Sequence, residues 1–389
     1  MFRSSSNSIL LALASFAWLL AAAFPTIAAE KSGKASAEAR SESQNEAQEA
    51  VPDDSRAKPV RASAKPAKAA AFKVSGKGAE ATQTFEKDPL LELTDPRTYR
   101  LKVVIRVTSP AEGDSQNVVV VAPIPMDWPE QQIRLLEEKY SEGGKIEYHV
   151  KPGQCKTFRY TIPEIEAGKS ASVELLYEIT RWRMEFAADP EELALPQGLP
   201  AEVRDQFVGL SPGLEMKHPK IVNLARDLEK QHRDEGAWET VKGFWSWTRD
   251  NVDFQNGDFR GALFAIEQGC GDCEEMSALF VSMCRLSKVT ARSVWVEGHN
   301  YPEFYLTDKK GQGHWIPAQV VGPEWFGEMT EYRPIFQKGD RFLDPFHHKF
   351  VRYTPQTLKA GGKIEPKLSV EHQIIADSDI NGPSYKNPK

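Results

Sequence analysis

Apolar and polar positions alternate with two different periods along this chain, and the change of period divides it. From Pro89 to Phe186 the period is two: Tyr99, Leu101, Val103, Ile105 and Val107 alternate with Arg100, Lys102 and Arg106. Val173, Leu175, Tyr177 and Ile179 alternate in the same way with Glu174, Glu178 and Thr180. Between these runs NVVVVAPIP, KIEYHVK and KTFRYTI are further strand candidates, set apart by Gly, Pro and Ser clusters. Short strands with one wet face predict an antiparallel β-sandwich over residues 89–188, with Cys155 as a structural cysteine. From Ile221 the period lengthens. Ile221, Leu224, Ala225 and Leu228 mark one amphipathic helix, and Trp238, Val241, Phe244 and Trp245 a second. Both are expected to face the core, and neither Trp245 nor Trp247 is given a ligand role.

A third helix has the strongest pattern. In Gln268–Val294, QGCGDCEEMSALFVSMCRLSKVTARSV, the residues Met276, Leu279, Phe280 and Met283 recur at i, i+3, i+4 and i+7. Asp272 suits the N-cap and Glu275 the third position of a capping box. Cys273 then stands on the first turn, where exposed N–H groups and the helix dipole favour a thiolate. Strands are expected near Thr290–Gly298, Pro302–Thr307 and His314–Val320, with Asp308–Gly313 as a hairpin turn. Helices first and an antiparallel sheet after them make an α+β order. The chain turns polar after Pro345, and residues 351–389 read as a C-terminal tail, surface-bound or disordered from Gly361 onward.

Composition changes the picture at the ends. Residues 1–29 have a basic start at Arg3, an apolar run Ile9–Ala23 and small residues at Ile27-Ala28-Ala29, the pattern of a secretory signal. Residues 30–88 are rich in Ala, Lys, Glu, Ser and Pro, too poor in large apolar groups to offset ordering entropy, and read as a flexible spacer. The formal net charge is −6 with no basic block, which argues against a nucleic-acid partner. An exported protein with no membrane attachment once the signal is removed is expected.

Candidate chemistry centres on Cys273. A cysteine nucleophile needs a base and a third group to hold that base. The segments EGHNYPEFYL and HWIPAQVVGPEWFG supply His299 and the amide of Gln319. Counted from the hairpin turn, Thr307 pairs with His314, which leaves His299 and Gln319 about three residues, or ~10 Å, out of register. Pro302 has no N–H for the ladder and is expected to disturb it. Gln319 could accept Nδ1–H of His299, fixing its tautomer without a carboxylate's charge. His314, His347 and His348 are weaker bases, and Asp308 and Glu303 are the fallback third members. The Cys270-Gly271-Asp272-Cys273 motif also admits a redox site or, with His299, a zinc site; the first lacks a βαβ setting and the second a fourth ligand.

These residues carry a resemblance. GDCEEMSALFVSMCRLSKVTARSV resembles the Gly-x-Cys, helix, Ala-Arg-x-Val signature of the transglutaminase-like superfamily. HNYPEFY is similar to that family's His-Ala-Trp-x-Glu-x-Tyr, and WIPAQ to its Trp-x-Pro-x-Asp, with Gln319 in the acid's place. FGEMTEYRPIFQKGDRF is similar to its Phe-Gly…Arg…Gly-Asp ending. The resemblance implies a papain-like transglutaminase core over residues 189–350, preceded by the β-sandwich. It implies acyl transfer through a Cys273 thioester with His299 and Gln319, on protein or peptide amides that could include cell-envelope material. No cofactor or metal is expected. A module that keeps the cleft but not the chemistry is the alternative.

Overall fold

The computed structural model describes residues 88–376. The expected signal segment and nearly all of the expected spacer lie outside the described residues, as do residues 377–389 of the expected tail. In chain order the elements are β1 (Leu91–Thr108), β2 (Ser115–Ile124), β3 (Gln131–Tyr140), β4 (Lys145–Lys151), β5 (Cys155–Ile165) and β6 (Ser170–Phe186). Then come α1 (Ala201–Phe207), α2 (Pro219–His232), α3 (Ala237–Asn251), β7 (Asp253–Phe254), α4 (Ala262–Gln268), β8 (Cys270–Gly271) and α5 (Cys273–Leu286). The last group is β9 (Thr290–Val296), β10 (His299–Thr307), β11 (Gly313–Pro317), β12 (Glu328–Met329), β13 (Ile335–Lys338), β14 (Phe342–Leu343), β15 (Phe350–Val351), β16 (Thr357–Gly361) and β17 (Lys367–Ile375). The architecture is mixed α+β, and the sheets are antiparallel apart from the short β7–β8 pair.

Alternation in the first half does what its period requires. Leu101, Val103, Ile105 and Val107 of β1 and Val173, Leu175, Tyr177 and Ile179 of β6 are buried. They share one apolar cluster with Val118, Val120, Phe158 and Tyr160 of β2 and β5. The strands fall into two sheets, one running β12-β6-β1-β17 with β3 on β6. The other runs β11-β10-β9-β13-β5-β2-β16 with β4 on β5. The strands expected to form a separate sandwich therefore do not end at a boundary. β13 pairs with β9 on one side and, through Gln337 and Cys155, with β5 on the other.

Charged groups are buried along this join. Lys338 on β13 reaches Glu303 of β10 and Glu130, each at 2.6 Å, and Arg292 of β9 reaches Glu303 at 2.7 Å. Every one of these side chains is less than a tenth exposed. Each buried charge has an opposite partner that offsets part of its desolvation cost, and removing one partner would leave the other buried without it.

The C-terminal expectation is corrected. Residues 357–375 are not a tail: β16 pairs with β2, and β17 pairs with β1 from Arg100↔Ile375 to Thr108↔Lys367. Leu368, Val370 and Ile374 alternate with polar residues and pack on the shared core, a period-two signal diluted by its Lys, Glu and His neighbours. Residues 189–218, ahead of α2, contain α1, whose Phe207 meets Trp315 edge-on at 5.3 Å.

Candidate active site

The local sequence builds α5 from its first residue. Asp272 Oδ1 accepts the N–H groups of Glu274 and Glu275, and Glu275 Oε2 accepts the N–H of Asp272 in return, completing the capping box. Gly271 allows this closeness, since a Cβ there would lie 2.7 Å from Glu275 Cβ. Met276, Leu279, Phe280 and Met283 are all buried, so the helix is anchored and Cys273 is held at its start. Cys273 lines a cleft of about 940 Å³ with His299, Asn256, Trp295, Tyr353 and His372.

His299 opens β10, and the backbone N–H of the next residue, Asn300, favours the Cys273 thiolate. His299 Nε2 lies 3.2 Å from Gln319 Oε1. The amide oxygen only accepts, so Nε2 carries the proton, and the expectation that Nδ1 faces Gln319 is corrected. The hairpin register is corrected too. Thr307 pairs with Gly313 and Glu303 with Pro317, one residue off the count from the turn. Pro302 is accommodated within β10, its carbonyl accepting Ala318 N–H at 2.9 Å. Beyond Pro317 the chain leaves the ladder, and Gln319 reaches His299 by its side chain.

Sequence reasoning missed what holds Gln319. Trp245 Nε1 donates to the Gln319 carbonyl at 2.7 Å and Arg249 Nη1 donates to it at 3.1 Å, while Gln319 N–H donates to Trp325 O at 2.7 Å. Arg249 also ties down Gly322 and Pro323. The helical period places Trp245 on a buried face but says nothing of its indole N–H.

Comparison with known proteins bears on this segment directly. Residues 222–320 match the model of the transglutaminase-like superfamily, a span running from α2 through Cys273 and His299 to Gln319. The chain carries a transglutaminase-like domain. No curated protein matches the chain. Among solved structures, a candidate cysteine protease from Cytophaga hutchinsonii is similar at 14% identity and a TM-score of 0.49, covering 77% of this chain and 97% of that one. A candidate protease from Parabacteroides distasonis is similar at 10% identity and a TM-score of 0.21, covering 59% and 68%.

Electrostatics in the transglutaminase-like domain depart from what the helix start alone suggests. Cys273 keeps partial exposure to the cleft, yet burial pushes its thiol up to about 12, against the pull of the Asn300 N–H. Asp272 and Glu274 add to the rise and Arg333 opposes it. Burial also brings His299 down to about 4, helped by the Arg333 guanidinium and opposed by Glu331 and the Gln319 bond. Expectation favoured a thiol below its ordinary value; desolvation reverses the sign, because a thiolate loses more hydration here than one N–H restores. Glu331 is buried and clasped by Arg333 at 2.6 Å, so the carboxylate that influences His299 is already paired.

Other candidates lie apart from the transglutaminase-like cleft. Glu303 belongs to the buried ion network, and Asp308 faces the buried His314, which Asp88 also holds at 2.9 Å. His347 is hydrogen-bonded to Asp344, and neither it nor His348 lines the cleft. Cys270 sits in β8 outside the cleft lining, and Cys155 is buried 3.9 Å from Thr354 Oγ1. Among the described residues no cluster of three or more His, Cys, Asp or Glu side chains could hold a metal ion. His372, within the segment expected as a tail, does line the cleft, with Nδ1 on Glu297 Oε2 at 2.5 Å.

Proposed function

We propose that the transglutaminase-like domain is a cysteine acyl-transfer enzyme acting on protein or peptide amides. The observation that carries this reading is the coincidence in one cleft of a helix-start thiol and an imidazole, with the buried amide oxygen of Gln319 bonded to that imidazole. With Nε2–H donated to Gln319, Nδ1 is assigned to the thiol. The resting pair is uncharged near neutral pH, so the thiol proton passes to His299 as Sγ attacks the acyl carbon. The C–S bond forms, the carbonyl electron pair moves to oxygen, and His299 then returns the proton to the departing nitrogen as the C–N bond breaks. Water or an amine attacks the thioester, His299 takes its proton, and the thiol is restored. Gln319 orients the ring throughout and adds no charge. Export to the cell envelope is part of the same proposal and rests on the sequence of residues 1–29.

The uncharged resting pair also suits a second reading, a binding module that keeps the cleft without turnover. An activated ester separates the two. Incubation with p-nitrophenyl acetate should release a burst of nitrophenol, with peptide mapping placing the acetyl group on Cys273. His299→Ala should slow that burst steeply. An unacetylated Cys273 would sink the enzymatic reading and leave the binding module.

A further inference from the structure

Attack on an acyl carbon puts a full negative charge on oxygen, and an acyl-transfer site needs donors aimed at it before the reaction begins. One is the Cys273 N–H. The following N–H groups of α5 are bonded to the Asp272 side chain and Met276 N–H to its carbonyl, which leaves the N–H of the first residue to the cleft. A second donor has to come from another element.

β7 and β8 supply the placement. They pair in parallel as Asp253↔Cys270 and Phe254↔Gly271, and Gln255 N–H continues the ladder by donating to Gly271 O at 2.8 Å. Asn256 follows Gln255 just as Cys273 follows Asp272, so the parallel pair delivers both residues to the same end of the β7–β8 ladder. Asn256 lines the same cleft as Cys273 and His299. Its carboxamide makes no hydrogen bond to any described residue, although it stands next to a segment tied down by main-chain bonds. Two nearby polar groups in the lining are committed elsewhere: Trp295 Nε1 donates to Gly339 O at 2.7 Å, and Gln337 Oε1 accepts Thr354 N–H at 2.9 Å.

We propose that Asn256 is the second oxyanion donor, its side-chain N–H stabilising the tetrahedral oxygen together with the Cys273 N–H. The proposal rests on the acyl-transfer reading of this site and names a residue for it. Asn256 donates a hydrogen bond and exchanges no proton. When the tetrahedral species collapses, the electron pair returns to the carbonyl and the bond from Asn256 weakens.

Two reagents that meet the same thiol test it. Iodoacetamide reacts by displacement at a methylene carbon and forms no oxyanion, whereas p-nitrophenyl acetate must form one. Asn256→Ala should therefore alkylate at the parent rate yet acetylate about 100-fold more slowly. Asn256→Asp, with the same shape and no donor, should acetylate no faster than Asn256→Ala. Asn256 is exposed, so neither change strains the core. If the parent acetylates at Cys273 and Asn256→Ala acetylates equally fast, Asn256 is not the donor. Equal slowing of both reactions would also overturn the proposal, because Asn256 would then act on the thiol itself. If the parent does not acetylate at all, the acyl-transfer reading fails first.

Discussion

Trp245 donates its indole N–H to the main-chain carbonyl of Gln319, so a core tryptophan of α3 sets the position of the residue that orients His299. Trp245→Phe keeps most of the buried ring and removes only the donor. Arg249 still reaches the same carbonyl, which limits the loss to about 1–2 kcal/mol of stability. Acetylation of Cys273 should slow several-fold as Gln319 loosens, with alkylation much less affected. Urea unfolding and burst kinetics check both parts, and unchanged values in both would show that the bond positions nothing.

The pH dependence of alkylation follows from the two burial effects. With the thiol at about 12 and the imidazole at about 4, neither group titrates between pH 5 and 10. The rate of iodoacetamide labelling at Cys273 should rise steadily over that whole range, about tenfold per pH unit. Gln319→Asp places a carboxylate on Nε2, favours the imidazolium and should move the rise to lower pH. A plateau below pH 8.5 in the parent would mean that the thiolate–imidazolium pair already exists at rest.

Glu303 holds the join between the two halves of the long sheet. Burial alone would raise its carboxyl, but Lys338 and Arg292 hold it below the ordinary range. Its contribution is therefore present above the unfolded value of ~4.3 and lost as pH falls through the folded one. Glu303→Gln leaves Arg292 without its carboxylate and Lys338 with Glu130 alone, and should cost about 3–5 kcal/mol. Thermal unfolding at pH 7 reads the loss. A shift of Tm within error would show that water reaches the site and screens it.

His314 titrates in the opposite sense. Burial would lower it, but the Asp88 carboxylate, and Asp308 on the other ring nitrogen, raise it above its ordinary value. A raised imidazole contributes stability fully below the unfolded value of ~6.5 and loses it as pH rises through the folded value. Stability of the parent should therefore decline above neutrality. His314→Asn should be less stable at pH 6 and nearly level with the parent at pH 9. A constant difference across that range would assign His314 a packing role only.

Much of the site was legible because its signals are local. The capping box and apolar face of α5 set Cys273 from a single stretch of sequence, and His299 and Gln319 flank a hairpin whose turn residues are plain. What misled was mostly non-local. The ring nitrogen facing Gln319 depends on how the chain runs after Pro317, whereas the one-residue register shift lies in the turn itself, where Asp308 N–H donates to Gln312 O. The sign of the Cys273 shift depends on desolvation by elements distant in sequence, which a helix start does not encode. Trp245 and Trp247 read alike as core residues, and only the fold shows that one of them bonds the Gln319 carbonyl. β17 looked like a tail because its apolar positions are few, and it becomes a strand only against an edge formed more than two hundred residues earlier.

That last pairing governs the order of assembly. A chain made from its N-terminus exposes the β1 edge from Arg100 to Thr108 until Lys367–Ile375 has been synthesised. The segment Tyr353–Gln356, which walls the cleft beside Cys273, arrives almost as late. Closing such a loop is slow, and an unpaired strand edge invites other chains meanwhile. The protein thus acquires its complete cleft only once residues 353–375 have been made, so a chain stopped before them would carry Cys273 and His299 without a finished site around them.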